Sequence, residues 1–249
     1  MSTILITGAN KGIGRGFVKK YLERPHTTVV GTVRDPSSPE AQALSAFPRG
    51  DGSKILFLQV HNDSETDALE GVRSLTTQHG IDKLDIVIAN SGIFKAAAHQ
   101  KISQMKIEDL MEHFSINTAS VVRLFQATMP LLEKAMNPIL LVNTAGAATI
   151  AGMDDFAHFP LNSYAASKAA ANFLTRRIHF ENPSLIAFAV HPGQVVTETR
   201  TAVARSLGAP EEGISVEECV NSLVGLLDTA TREGTSGKFL NYDGAPLPW

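Results

Sequence analysis

Cysteine is nearly absent from this 249-residue chain. Cys219 stands alone, so no intrachain disulfide forms, and its setting, Glu217-Glu218-Cys219-Val220, offers no cation to activate a thiol. A reducing compartment fits that usage. Excess charge is lacking too: 22 Lys and Arg against 25 Asp and Glu leave a formal net charge of −3. No basic run supplies the footprint that nucleic acid or an anionic membrane surface requires, so neither is expected as a partner. Apolar runs stay at strand length, short of a transmembrane helix, and the first residues enter a strand pattern with no charged leader ahead of it. A cytoplasmic location is the expectation. No internal repeat or interdomain linker interrupts the chain, and with 43% hydrophobic residues it is long enough for one large core. One domain spanning residues 1–249 is expected.

What is present is a regular alternation. Strand-length apolar runs occur at residues 3–7, 29–33, 55–58, 84–89, 139–142 and 186–190, with helical patterns between them. That order predicts an α/β fold, a doubly wound parallel sheet with helices on both faces, binding its ligands at the carboxyl ends of the strands. Residues 36–53, rich in Pro, Ser and Gly, read as a surface connection. Two further irregular stretches, near 146–163 and 193–214, read as loops over a substrate.

The first run leads directly into Gly8-Ala9-Asn10-Lys11-Gly12-Ile13-Gly14 and then a helical pattern through Phe17, Val18, Tyr21 and Leu22. Glycines let backbone approach a pyrophosphate closely, and a helix N-terminus offers it free N–H donors. No Gly-Lys-Ser/Thr follows, which argues against a triphosphatase loop. Further along, Tyr164-Ala165-Ala166-Ser167-Lys168 puts a phenol and an ammonium on one helical face. A neighbouring cation favours phenolate, the means by which a tyrosine becomes an acid or base near neutrality.

Taken together, these segments resemble the short-chain dehydrogenase/reductase family over essentially the whole chain. Residues 7–14 match its TGxxxGxG loop and Tyr164 to Lys168 its YxxxK helix. Ala89-Asn90-Ser91-Gly92 is similar to its NNAG, Asn117 falls at its helical asparagine, and His191-Pro192-Gly193-Gln194-Val195-Val196-Thr197 is similar to its nicotinamide loop. The ending through Gly237-Lys238-Phe239 to Trp249 resembles the carbonyl-reductase-like branch that includes fungal ketoreductases of the norsolorinic acid type. The resemblance implies a single Rossmann domain, a homodimer or homotetramer, and a small-molecule substrate. It implies cofactor contacts from Gly8, Asn10, Lys11, Gly12, Ile13, Gly14, Asn62, Asn90, Gly92, Tyr164, Lys168, Pro192, Gly193, Val195 and Thr197. It also implies that Tyr164 gives a proton to the carbonyl oxygen while Lys168 holds the nicotinamide ribose and lowers the tyrosine's pKa. Asn117 would support a proton relay through water, unless it only bonds backbone in a helix kink.

The end of the second strand separates the two nicotinamide cofactors, because a carboxylate there bonds the ribose hydroxyls of NAD and repels the 2′-phosphate of NADP. The acidic position falls on Val33, and Arg34 follows it. Arg34, whose guanidinium suits a phosphate, and Lys11 favour NADP. After the third strand, His61 stands where the family often has an aspartate.

One expected residue is missing. The family places a serine after the fifth strand to orient the carbonyl and donate to its developing charge. This chain reads Asn143-Thr144-Ala145-Gly146-Ala147, with Ala145 or Gly146 at that place. Thr144 is the first candidate replacement; Thr149 and Ser163 are weaker ones. Two functions follow: an NADPH-dependent reductase transferring hydride to a carbonyl or imine of a bulky substrate, aromatic or of secondary-metabolite type, or a cofactor-binding enzyme, such as an isomerase or cyclase, that transfers none. Met153 to Pro160, which includes His158 and two phenylalanines, reads as the substrate mouth, and no metal is expected from Asp154, Asp155 and His158 without a second ligand cluster. Ile107, Leu110, Met111 and Phe114, then Val121, Val122, Leu124 and Phe125, read first as one core-facing helical stripe.

Overall fold

The computed structural model describes residues 1–249. Its strands are β1 (Ser2–Thr7), β2 (Thr27–Val33), β3 (Lys54–Gln59), β4 (Ile86–Ala89), β5 (Ile139–Asn143), β6 (Ile186–His191) and β7 (Phe239–Asn241). They form one sheet in the order β3-β2-β1-β4-β5-β6-β7, with every pairing parallel. The helices are α1 (Gly12–Leu22), α2 (Pro39–Gln42), α3 (Asp67–His79), α4 (Ile107–Phe114), α5 (Ser120–Leu132), α6 (Asn162–Glu181), α7 (Glu198–Leu207) and α8 (Val216–Asp228).

Central strands of this kind are apolar on both faces because helices cover both. In β1, Ile4 and Ile6 turn to the layer made with Phe17 and Leu22 of α1 and Leu223 and Val224 of α8. Leu5, between them, turns to the opposite layer with Val72 and Leu75 of α3 and Leu124 of α5. The period of two thus feeds both cores from one strand, each fully buried side chain contributing about 1.5–3 kcal/mol. Chain order reverses at β1, with β2 on one side and β4 on the other. That switch opens a crevice at the carboxyl ends of β1 and β4.

The structure departs from the sequence reading in three places. A seventh strand, β7, extends the sheet through pairing with β6, although its three residues carry no periodic signal of their own. Residues 36–53 contain α2 and the 3-10 turn Ala43–Ala46, whose Ala41 and Leu44 are fully buried, so this connection closes the core under α1. The stripe expected to face the core is broken: Val121 and Leu124 are buried, whereas Ile107 and Met111 of α4 are 67% and 60% exposed. Between α4 and α5 lies the π-helical turn Ser115–Ala119, which buries Asn117 and Thr118 against α6. No helix is long and apolar enough to cross a membrane.

Phe188, at 0% exposure in β6, contributes to the layer under α1 and α8. Phe188→Ala is expected to destabilise the fold by about 3–5 kcal/mol in urea unfolding, against roughly 0.5 kcal/mol for Leu69→Ala on the exposed side of α3.

Candidate active site

A cleft of about 1260 Å³ runs along the carboxyl ends of the strands. That exceeds the usual 300–1,000 Å³ of a small-ligand pocket and leaves room for a dinucleotide beside a second molecule. At one end lies the turn between β1 and α1. Gly8 and Gly12 hold φ of +66° and +52°, and a Cβ on Gly14 would sit 2.1 Å from the Gly8 carbonyl oxygen. The turn therefore closes on itself only with glycine at these positions, and it presents the first N–H groups of α1 to the cleft. Gly8, Asn10, Lys11, Gly12 and Ile13 line the cleft directly; Gly14 supports the turn from below. This cradle fits a pyrophosphate group.

Arg34, at the end of β2, and Lys11 line the same cleft and are exposed, and neither side chain makes a hydrogen bond or ion pair within the protein. Asp35 does not pair with Arg34; its carboxylate accepts from the Ser37 amide and hydroxyl instead. Beyond them, Asn62 lines the cleft with its carbonyl held by Arg123. His61 is tied to Asp67 through both its amide and its Nδ1, each at 2.9 Å. Hydrogen bonds from the Ser64 hydroxyl and from His61 hold the Asp67 carboxyl down at about 2.

A ladder of polar groups joins this end to the other. The Thr7 hydroxyl accepts from the amides of Asn90 and Ser91, and Asn90 Nδ2 donates to the Thr7 carbonyl at 3.0 Å. Asn143 Nδ2 donates to Asn90 Oδ1 at 3.0 Å, and Lys168 Nζ donates to the Asn143 carbonyl at 2.8 Å. Asn117 stands behind the ladder, outside the cleft lining. Its Oδ1 accepts from the Ile93 amide, and its Nδ2 donates to the Ile93 carbonyl and the Ser167 hydroxyl. Gly92 packs so tightly here that a Cβ would lie 2.9 Å from Asn117 Oδ1 and 3.3 Å from Lys168 Nζ.

Tyr164 and Lys168 both line the cleft from α6, one turn apart. The expected lowering of the tyrosine's pKa by the lysine is not what this arrangement gives. Lys168 points to Asn143, and loss of water alone pushes the Tyr164 phenol above its usual range. The same loss brings Lys168 down to about 8. Phe94 stacks on the tyrosine ring at 4.0 Å between centroids, with His113 edge-on to it.

On the far wall, Pro192, Gly193, Val195 and Thr197 follow β6 and line the cleft. Gly193 holds φ of +82°, Val195 pairs with Ile214, and Thr197 caps α7 through the Arg200 amide. Gly12 and Thr197 nearly touch, with a Cβ on Gly12 only 3.5 Å from Thr197 Cγ2, so this wall closes against the glycine turn.

None of the proposed stand-ins for serine presents a free hydroxyl to the cleft. Thr144 lines the cleft, but its hydroxyl donates to the Val190 carbonyl in the neighbouring strand at 3.2 Å. Thr149 accepts from the Gly152 amide, and Ser163 is fully buried outside the cleft lining. Phe156 and Phe159 reach the mouth, while His158, Asp154 and Asp155 are exposed and do not line it.

A family model described as "short chain dehydrogenase" matches residues 2–207. This chain belongs to the short-chain dehydrogenase/reductase family. It is 39% identical to the norsolorinic acid ketoreductase of Aspergillus parasiticus over 247 residues, covering 98% of this chain and 90% of that protein. The norsolorinic acid ketoreductase of Emericella nidulans is also 39% identical, over 98% and 92% of the two chains. The crystal structure of an NADPH-bound carbonyl reductase from chicken fatty liver superposes with a TM-score of 0.86 at 27% identity, covering 100% of this chain and 99% of that one. The chain is thus an oxidoreductase of a family that binds a nicotinamide cofactor, on a seven-stranded Rossmann fold.

In this short-chain dehydrogenase, sequence reasoning passed over Asn143, Phe94 and His191. Asn143 had a signal in its amide at the end of an apolar strand. Phe94 had none, since only the fold stacks it on Tyr164. His191 lines the cleft with Nδ1 buried and unpartnered, and burial pulls its pKa from 6.5 down to about 4. The neutral ring is the form favoured by folding, so its contribution to stability is present above pH 6.5 and lost as pH falls toward 4. Acid unfolding should therefore show a loss of as much as about 3 kcal/mol across that window, which His191→Gln removes; thermal melts of the two proteins between pH 7 and 4 measure the difference.

Proposed function

We propose that the chain is an NADPH-dependent ketoreductase acting on a bulky aromatic ketone. The observation that carries this is the single cleft that joins a glycine cradle, two unpaired cations and the Tyr164-Lys168 pair. When bound, the reduced cofactor supplies hydride to the carbonyl carbon. Gly8 to Ile13 hold the pyrophosphate, while Lys11 and Arg34 bind the 2′-phosphate. Asn90, Gly92 and the segment from Pro192 to Thr197 position the nicotinamide half, with Asn62 at the adenine end. Lys168, fixed through Asn143, would hold the cofactor's ribose, and in that bound state its charge would favour the Tyr164 phenolate. Tyr164 gives its proton to the carbonyl oxygen as the C=O electron pair moves there. Asn117 keeps Ile93 and α6 in register and supports the relay that restores the tyrosine's proton.

The loops at 146–163 and 193–214 form the substrate side, where Phe94, Phe156, Phe159 and Leu161 favour flat apolar rings over polar or aliphatic substrates. Ketoreductase names among the relatives support hydride transfer over isomerisation or cyclisation in the same pocket. The exposed Ile107 and Met111 on α4 and Phe173 and Phe180 on α6 support self-association as a homodimer or homotetramer.

NADPH oxidation with a panel of naphthyl and anthracenyl ketones tests this reading. Turnover should prefer NADPH over NADH and fall by at least about 10³-fold in Tyr164→Phe. Tight NADP binding without turnover of any member contradicts it. Arg34→Ala is expected to raise the KM for NADPH by about tenfold or more, with the KM for NADH changing little. An equal rise for both cofactors contradicts the assignment of Arg34.

A further inference from the structure

Gly146 and His191 explain each other. An ideal Cβ on Gly146 would lie 3.2 Å from both His191 Cδ2 and His191 Nε2 and 3.0 Å from Phe156 Cζ. Most real Cβ atoms keep more distance than that, so the space into which a residue-146 side chain would project is taken by the imidazole edge and the phenyl ring. This is one of the two positions where the family carries its serine. The histidine is placed there by β6: His191 is the last residue of the strand, its backbone in register with Asn241 of β7 and its side chain lining the same cleft as Tyr164 and Lys168.

The ring has no hydrogen-bonding task in the protein. Nδ1 is buried with no hydrogen-bond partner, and Nε2 lies on the edge of the ring that faces Gly146. A polar ring so placed against apolar surroundings costs stability, which is tolerated at sites where the group acts on a ligand. Burial keeps it neutral at physiological pH. A neutral imidazole retains one N–H, which is a donor aimed by packing and by the strand rather than by solvent. Thr144, the obvious alternative, already donates its hydroxyl hydrogen bond to the Val190 carbonyl.

We propose that His191 replaces the missing serine, its Nε2–H donating a hydrogen bond to the substrate carbonyl oxygen and to the negative charge that develops on it. The inference rests on the proposed ketone reduction. As the carbonyl carbon accepts the hydride that a bound reduced nicotinamide would supply, the C=O π pair would move to oxygen, Tyr164 would supply the proton, and His191 would donate throughout without transferring its own proton. The imidazole edge is also wider than a hydroxyl, which together with Phe156 and Gly146 shapes this wall for a flat carbonyl compound carried on a ring.

The test uses the full-length protein with NADPH and the best-reduced member of the naphthyl and anthracenyl ketone panel. His191→Ala should lower kcat by about 10²–10³-fold, the usual effect of removing one oxyanion donor, with the Kd for NADPH unchanged within about twofold. His191→Gln, which keeps an N–H donor, should retain at least about tenfold more turnover than His191→Ala. The double variant Gly146→Ser/His191→Ala restores a hydroxyl where the imidazole stood and should recover at least about tenfold over His191→Ala, whereas Gly146→Ser alone, crowded by the ring, should lose activity. Near-native kcat in His191→Ala, or a loss that appears only in KM, overturns the assignment. Equal loss in all three His191 variants also overturns it, since a donor restored as an amide or a hydroxyl would then make no difference. Should the unmodified protein reduce no ketone, the proposed function falls and this inference with it. Turnover that Tyr164→Phe abolishes and His191→Ala spares leaves that function standing and removes only the inference.

Discussion

The site depends on the hydrogen-bonded ladder from Thr7 through Asn90 and Asn143 to Lys168. It crosses the carboxyl ends of β1, β4 and β5, where parallel strands leave backbone groups without a further partner in the sheet. Each rung satisfies a polar group that would otherwise be buried unpaired at a cost of about 1–3 kcal/mol. The ladder also links distance to chemistry: the residue that anchors the glycine turn and the residue that aims the buried lysine belong to one network. Gly92 is small because this network and Asn117 leave no volume for a side chain.

Around that network, the two halves of the cleft are built by different means. The cofactor half is mostly backbone, shaped by glycines with positive φ and by helix N-termini, and its N–H groups and two unpaired cations suit phosphate. The substrate half is mostly side chains on irregular segments: Phe94, Phe156, Phe159 and His191. Backbone recognition leaves little freedom to vary, whereas side chains on loops vary without disturbing the sheet. The absent serine belongs to the second half, and its place is filled by packing rather than left open.

Much of this was legible in the sequence, and for identifiable reasons. Six of the seven strands are continuous apolar runs because the sheet is covered on both faces. The glycine turn and the Tyr164-Lys168 spacing are local patterns that the chain cannot hide. What escaped was set by tertiary contact. β7 exists because β6 offers it an edge, not because Phe239-Leu240-Asn241 favours a strand. The exposed side of α4 follows from the π-helical turn at Ser115–Ala119, which shifts the apolar stripe before α5 resumes it. The direction of the Thr144 hydroxyl depends on a carbonyl from β6, forty-six residues away in sequence. His191 was visible only as part of a loop motif, since nothing in its neighbours along the chain tells that its ring lies against Gly146.

The central claim is that the cleft brings a nicotinamide cofactor and an aromatic ketone together for direct hydride transfer. Deuterium tracing tests it without relying on rates. With NADPH carrying deuterium at the transferring C4 position, the account predicts one deuterium on the carbinol carbon of each alcohol formed. Product that forms with no deuterium from the cofactor, or cofactor that binds while the ketone returns unchanged or rearranged, would contradict it.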